Sequence, residues 1–210
     1  MSSVRPVLPV RIAVAAATAV LTAVAGSAAP AAAHEAPRPG HRCSMSGAAV
    51  VVHGSIYVCT GSTRAPRWDA GRPVARTALT VADPWAKAAR KGSMSALFAR
   101  ISNPTDRPIR IIAAMSPAAP ALQLHEVVTS DGQSVMQQKA GGFVVPARGS
   151  LTLAPGGNHV MFLDLARPLA AGTTVPVTLV TADGGLLTVR ALVKVFRGAN
   201  EEYPGEMTAR

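Results

Sequence analysis

Turn chemistry recurs between residues 78 and 195 at intervals too short for helices, and this punctuation constrains the fold. The breaks are Asp83-Pro84, Asn103-Pro104-Thr105-Asp106, Ser130-Asp131-Gly132, Pro146-Ala147-Arg148-Gly149, Pro155-Gly156-Gly157 and Ala182-Asp183-Gly184-Gly185. Between them lie short runs rich in Val, Ile, Leu, Phe and Thr. Strands are predicted over 78–82, 85–89, 95–102, 109–115, 122–129, 134–138, 143–145, 150–153, 159–163, 174–181 and 186–195. No helical period of useful length interrupts them. Turn-separated strands at intervals of about eight to twelve residues predict an all-β sandwich or barrel. Pro176 lacks a backbone N–H, so its strand is predicted to lie at a sheet edge.

The N-terminus reads differently. Arg5 and Arg11 precede the apolar stretch 12–24, and Ala31-Ala32-Ala33 offers a small-residue cleavage site. This is the pattern of a signal peptide spanning 1–33, with an uncleaved anchor as the alternative. No Arg-Arg pair occurs in it, so ordinary secretion is expected, and no Cys directly follows the cleavage region, so no lipoprotein anchor is expected. The predicted location is extracytoplasmic, periplasmic or secreted. In that compartment the two cysteines of the sequence, Cys43 and Cys59, read as one disulfide. Such a bridge stabilises by about 3 kcal/mol in the chain-entropy model. It would clasp a hairpin, 48–52 and 55–59, turning at His53-Gly54. The predicted organisation is therefore 1–33 signal peptide, 34–79 hairpin extension with a loop over 60–73, 80–197 β-sandwich and 198–210 tail.

Charge narrows the partners. The chain carries 21 basic and 11 acidic residues, a net charge of +10. The basic residues are scattered, without a run of five or more like charges or an aromatic-interleaved stripe, so no nucleic-acid partner is expected. Beyond the signal, the most apolar stretch is broken by Arg190 and Lys194 and is too short to span a bilayer, so no stable membrane insertion is expected.

The residues that carry chemistry sit between 125 and 161. His125 is followed by Met136 after 10 residues, and His159-Val160-Met161 comes after 22 more. Side chains alternate across a strand, so His159 and Met161 must share a face. Imidazole nitrogen and thioether sulfur are soft, neutral donors that suit Cu(I). Each residue alone has an ordinary reading, Met as core filler and His as a satisfied surface group. Together they form a candidate metal set: His125, Met136, His159 and Met161.

The pattern His125…Met136…His159-x-Met161 resembles the signature of the periplasmic copper chaperone family called PCuAC. Asp83-Pro84-Trp85-Ala86-Lys87-Ala88, Asn103-Pro104-Thr105, Leu124-His125-Glu126, Val145-Pro146-Ala147 and Leu153-Ala154-Pro155-Gly156-Gly157 also agree with that family. The interval between Met136 and His159 is one residue longer than the family's. The resemblance implies a cupredoxin/immunoglobulin-like β-sandwich that holds Cu(I) through those four side chains. It also implies copper delivery to an acceptor protein such as the CuA site of cytochrome c oxidase. A Met-rich site near the surface would pass copper on by ligand exchange. Only the two His residues compete with protons, so binding is expected to weaken near their ordinary pKa of about 6.5.

Other classes are less well supported. No nucleophile elbow, zinc-protease helix, phosphate loop or dinucleotide fingerprint occurs, so an enzyme is not expected. A blue-copper electron carrier needs a Cys ligand, and neither Cys lies in the signature stretch. The remaining alternative is a structural or adhesive β-sandwich with an incidental His/Met cluster. His34 lies in a Pro-rich stretch and is read as an ordinary tail His, with Cu(II) chelation at a new N-terminus as the alternative. Met45 and His53 are read as a packed Met and a turn His rather than a second soft site.

Overall fold

Residues 49–60 show how local sequence sets local structure. Val, Ile and Tyr favour extended backbone, and His53-Gly54 supplies two residues able to adopt positive φ. The computed structural model describes residues 37–62, 64–130 and 133–197. The predicted signal segment, His34 and the predicted C-terminal tail lie outside the described residues. Strands β1 (Ala49–Val52) and β2 (Ser55–Thr60) pair antiparallel around that turn. His53 has φ 48° and Gly54 φ 74°, the two left-handed positions that a tight hairpin with the correct twist requires. The Cys43–Cys59 disulfide is formed, with Cα atoms 6.0 Å apart.

Residues 60–73 depart from the predicted loop, because two short strands, β3 (Arg67–Trp68) and β4 (Arg72–Pro73), pair with β2. Asp69 is the reason. Its carboxylate accepts from Val58 N–H at 3.0 Å and Gly71 N–H at 3.1 Å, and it pairs with the Arg72 guanidinium. One acidic side chain thus ties the segment to β2.

The larger sheet contains β5 (Ala75–Arg76), β6 (Thr80–Lys87), β7 (Ser95–Asn103), β8 (Ile109–Ser116), β9 (Ala119–Ser130) and β10 (Gln133–Gln138). It continues with β11 (Phe143–Val145), β12 (Gly149–Leu153), β13 (His159–Leu163), β14 (Thr174–Thr181) and β15 (Gly185–Lys194). Its order is β10-β9-β13-β7-β6-β15-β14-β8-β11, and β8 also pairs with β9. That last pairing closes β9-β13-β7-β6-β15-β14-β8 into a ring, a sandwich-like barrel with few open edges. No helix occurs among the described residues. The predicted all-β fold with a disulfide-linked hairpin is what the chain adopts.

Two local expectations are corrected. Asp83-Pro84 does not end a strand. It lies inside β6 at a register shift between Ala82 and Trp85, with Asp83 at φ 51°, so it forms a bulge. Pro176 does not mark an edge strand, because β14 lies between β15 and β8. The ladder to β8 starts only at Thr178, so the N–H that Pro176 lacks has no partner to lose there. The Pro176 carbonyl accepts instead from Ser116 Oγ at 2.7 Å.

The core fills the inside of the ring. Leu122 and Leu124 of β9, Val160 and Phe162 of β13, and Leu97 and Ile101 of β7 meet Phe143, Val177, Leu179 and Val193 there. Buried Asn103 fixes the neighbouring turn. Its Nδ2 donates to the Arg107, Val145 and Pro146 carbonyls, and its Oδ1 accepts from Thr105 N–H at 3.0 Å.

The outer face of β9, β13 and β7 is also closed to solvent over much of its length, and there a second set of side chains collects.

Candidate metal centre

Strand register decides which side chains meet. β9 and β13 pair with His159 opposite His125, Met161 opposite Gln123 and Leu163 opposite Ala121. Residues directly opposite point to the same face. The same alternation that sends Leu124 and Val160 into the core therefore sends His125, His159 and Met161 outward. β10 pairs with the other edge of β9, with Gln138 opposite His125 and Met136 opposite Val127. All four predicted ligands thus share one face of three adjacent strands.

They are not equivalent on it. The two imidazoles are direct neighbours, with ring centroids 5.6 Å apart. Met161 lies one row to one side of this pair, on the same strand as His159. Met136 lies one row to the other side, diagonal to His125. Diagonal partners stand about 7–8 Å apart, within reach of long side chains. The thioethers therefore flank the imidazole pair at opposite corners.

The face is less open than expected. Met161 is 1% exposed, His159 2% and Met136 5%, and His125 is half-buried. Phe98 of β7 packs beside His159 with centroids 6.3 Å apart, and Trp85 stacks on Phe98 at 4.5 Å. The extension covers the far end, where Ala48, Cys59, Met45 and Trp68 cluster with Ala121 and Leu163. The predicted surface site is instead a covered one, because a second layer of side chains lies on the outer face.

Hydrogen bonds orient the rings. His159 Nδ1 lies 2.9 Å from the Gly157 carbonyl, which only accepts, so Nδ1 carries the proton and the lone pair falls on Nε2. His125 Nε2 lies 2.9 Å from Gln123 Oε1. Burial, and secondarily the charge of His159, lowers the pKa of His125 from 6.5 to about 4. The ring is therefore neutral at physiological pH and ready to donate. The ordinary value near 6.5 therefore does not apply to His125.

Gln123 escaped the sequence reading. The signal was available, since Gln123-Leu124-His125 places Gln123 on the face of His125 by simple alternation. Glu126 points away from His125, as strand geometry predicts, and engages Gln137 and Lys139. The Lys139 bond is the main reason its carboxyl titrates below the usual range. His53 is exposed at the hairpin turn and Met45 packs in the extension cluster, so neither joins the four. Among the described residues no group of three or more His, Cys, Asp or Glu could hold a metal. The His/Met set is the candidate that remains, and its neutral donors fit a soft monovalent ion.

A family model described as LpqE-like lipoproteins matches residues 79–193, just over half of the 210-residue chain. The chain belongs to the LpqE-like family. This description differs from that of the copper chaperones whose signature the sequence resembles. Within the LpqE-like match lie all four candidate ligands, whereas the disulfide hairpin precedes it. A protein named as a lipoprotein, Lxx21020 of Leifsonia xyli subsp. xyli, is 45% identical over 127 residues, covering 60% of this chain and 76% of its own length. Among solved structures, the copper-bound PCuAC domain from PmoF2 is 26% identical with a TM-score of 0.48, covering 58% of this chain and 97% of that domain. The Cu(I) form of DR1885 from Deinococcus radiodurans is 36% identical with a TM-score of 0.44, covering 54% of this chain and 78% of that one.

Proposed function

We infer that this LpqE-like protein binds one Cu(I) ion through His125, His159, Met161 and Met136 and carries it outside the cytoplasm to an acceptor protein. One observation carries the reading: the register that sets His125 against His159 puts both thioethers on the same covered face. Two neutral imidazoles and two thioethers give a d¹⁰ ion a full soft donor set. Neither sulfur has a proton to lose, and neither can be lost to disulfide formation in an oxidising compartment. The paired Cys43–Cys59 bridge and the family's description as lipoproteins favour an exported protein. In this reading residues 1–33 direct export, 34–79 form the extension and 80–197 form the copper domain.

The chain acts here as a carrier rather than a catalyst. Burial of the donors slows adventitious loss, while half-buried His125 gives an incoming ligand its point of entry. An acceptor such as the CuA site of cytochrome c oxidase is a suitable destination for Cu(I).

Anaerobic Cu(I) titration of the mature protein tests this reading. One equivalent should bind, and the double variant Met136→Leu, Met161→Leu should lose binding while its urea midpoint stays near that of the wild type. Absence of Cu(I) binding, or full affinity in the double variant, would overturn it and leave a structural β-sandwich. Transfer to a metal-free CuA domain, followed by its visible absorption, tests the destination separately.

A further inference from the structure

The extension touches the donor face at a point that sequence spacing did not reveal. Residues 45–48 are held against the disulfide strand. Gly47 N–H donates to the Cys59 carbonyl at 2.9 Å, Cys59 N–H to the Ala48 carbonyl at 2.8 Å, and Ala48 N–H to the Met45 carbonyl at 3.1 Å. Gly47 has φ 91°, and a Cβ there would stand 2.5 Å from the Leu122 carbonyl oxygen and 2.7 Å from Gln123 Cγ. A side chain at this position could not be accommodated without displacing the segment. Glycine is what lets the extension lie directly on β9.

That approach brings the Ser46 carbonyl to 2.9 Å from Gln123 Nε2. A backbone carbonyl accepts and cannot donate. Gln123 must therefore turn its amide nitrogen towards Ser46 and its oxygen towards His125. The amide oxygen also only accepts, so His125 Nε2, at 2.9 Å, must carry the proton. The lone pair of the neutral ring then resides on Nδ1. That atom is buried and has no hydrogen-bond partner among the described residues. Gln138, opposite His125 on β10, also reaches the extension, with Nε2 3.4 Å from Ser46 Oγ.

We propose that Gln123 is a positioning residue for the copper site, oriented by the Ser46 carbonyl of the disulfide-bonded extension so that His125 presents Nδ1 to the metal. The inference rests on the copper reading above. It adds that a segment outside the family match selects which nitrogen of a ligand inside it binds. Metal-ligating imidazoles commonly have the other ring nitrogen held by a hydrogen-bond acceptor, and loss of that acceptor typically costs about 10–100-fold in affinity.

The test begins with the metal-free protein. Long-range ¹H–¹⁵N correlation should show His125 as the Nε2–H tautomer in the wild type. Gln123→Leu should give mixed tautomers and lower Cu(I) affinity by about 10–100-fold. Gly47→Val, which forces the extension away from β9 and changes no residue of β9 and no ligand, should do the same. Unchanged amide dispersion for the Leu122 and Phe162 core serves as the fold control. Protonation on Nδ1 in the wild type overturns the inference without any variant. Wild-type affinity in Gln123→Leu overturns it while leaving the copper reading intact. A wild type that takes up no Cu(I) overturns both.

Discussion

Strands β9 and β13 present two buried faces of opposite character. The inner face carries Leu122, Leu124, Val160 and Phe162, all part of the main core. The outer face carries Gln123, His125, His159 and Met161. Met161 and Phe162 are adjacent in sequence and almost equally buried, at 1% and 0% exposure. Burial therefore does not separate core from site here. The difference lies in the neighbours: Phe162 belongs to the main apolar cluster, whereas Met161 shares its face with two oriented imidazoles and the buried Gln123 amide.

This contrast predicts how the two faces respond to substitution. Phe162→Ala should destabilise the domain by about 3–5 kcal/mol, since it opens a cavity in a close-packed core. Measured by urea unfolding, a loss below about 1 kcal/mol would mean that the inner face is not the core. Met161→Leu preserves volume and should cost under about 1.5 kcal/mol. It should nevertheless weaken Cu(I) binding by more than the ~10–100-fold typical of an outer-shell change. Equal destabilisation by both substitutions would erase the distinction between the faces.

Acid should distinguish the faces next. His125 titrates near 4 in the native protein and near 6.5 when unfolded. Between these values the unfolded chain holds more protons than the native one, so native stability rises with pH and is lost as pH falls from about 6.5 towards 4. The depressed pKa corresponds to roughly 3 kcal/mol across that window. Urea midpoints measured between pH 7 and pH 4 should fall in the wild type and flatten in His125→Leu. An unchanged slope in the variant would assign the acid sensitivity to other groups.

The smallest effect is expected at Glu126, the residue beside His125 that points the other way. Its pairing with Lys139 is a partly solvent-exposed contact on the opposite face from His125. Lys139→Met should leave both the urea midpoint and Cu(I) affinity unchanged within error, because exposed ion pairs contribute little. A clear loss of affinity would place Glu126 in the site against the register.

Much of this was legible in the residues. The hairpin turn at His53-Gly54, the disulfide and nearly every strand followed from turn chemistry and alternation. The exceptions are informative. Asp83-Pro84 reads as a turn because that dipeptide usually is one, yet β6 continues on both sides and absorbs it as a bulge. Pro176 reads as an edge residue, but β8 ends its ladder just before reaching it. Asp69 turned a predicted loop into two strands through contacts beyond the reach of local patterning.

The sequence by itself determined which donors share a face within each strand, because the two-residue period of extended backbone is local. It also determined their softness, since that belongs to the side chains. Tertiary structure alone decided that His125 stands opposite His159, that Met136 and Met161 flank the pair on opposite sides, and that a glycine in the extension brings Ser46 down onto Gln123. Pairing between strands far apart in the chain depends on how the whole barrel closes, and no short window of residues encodes that.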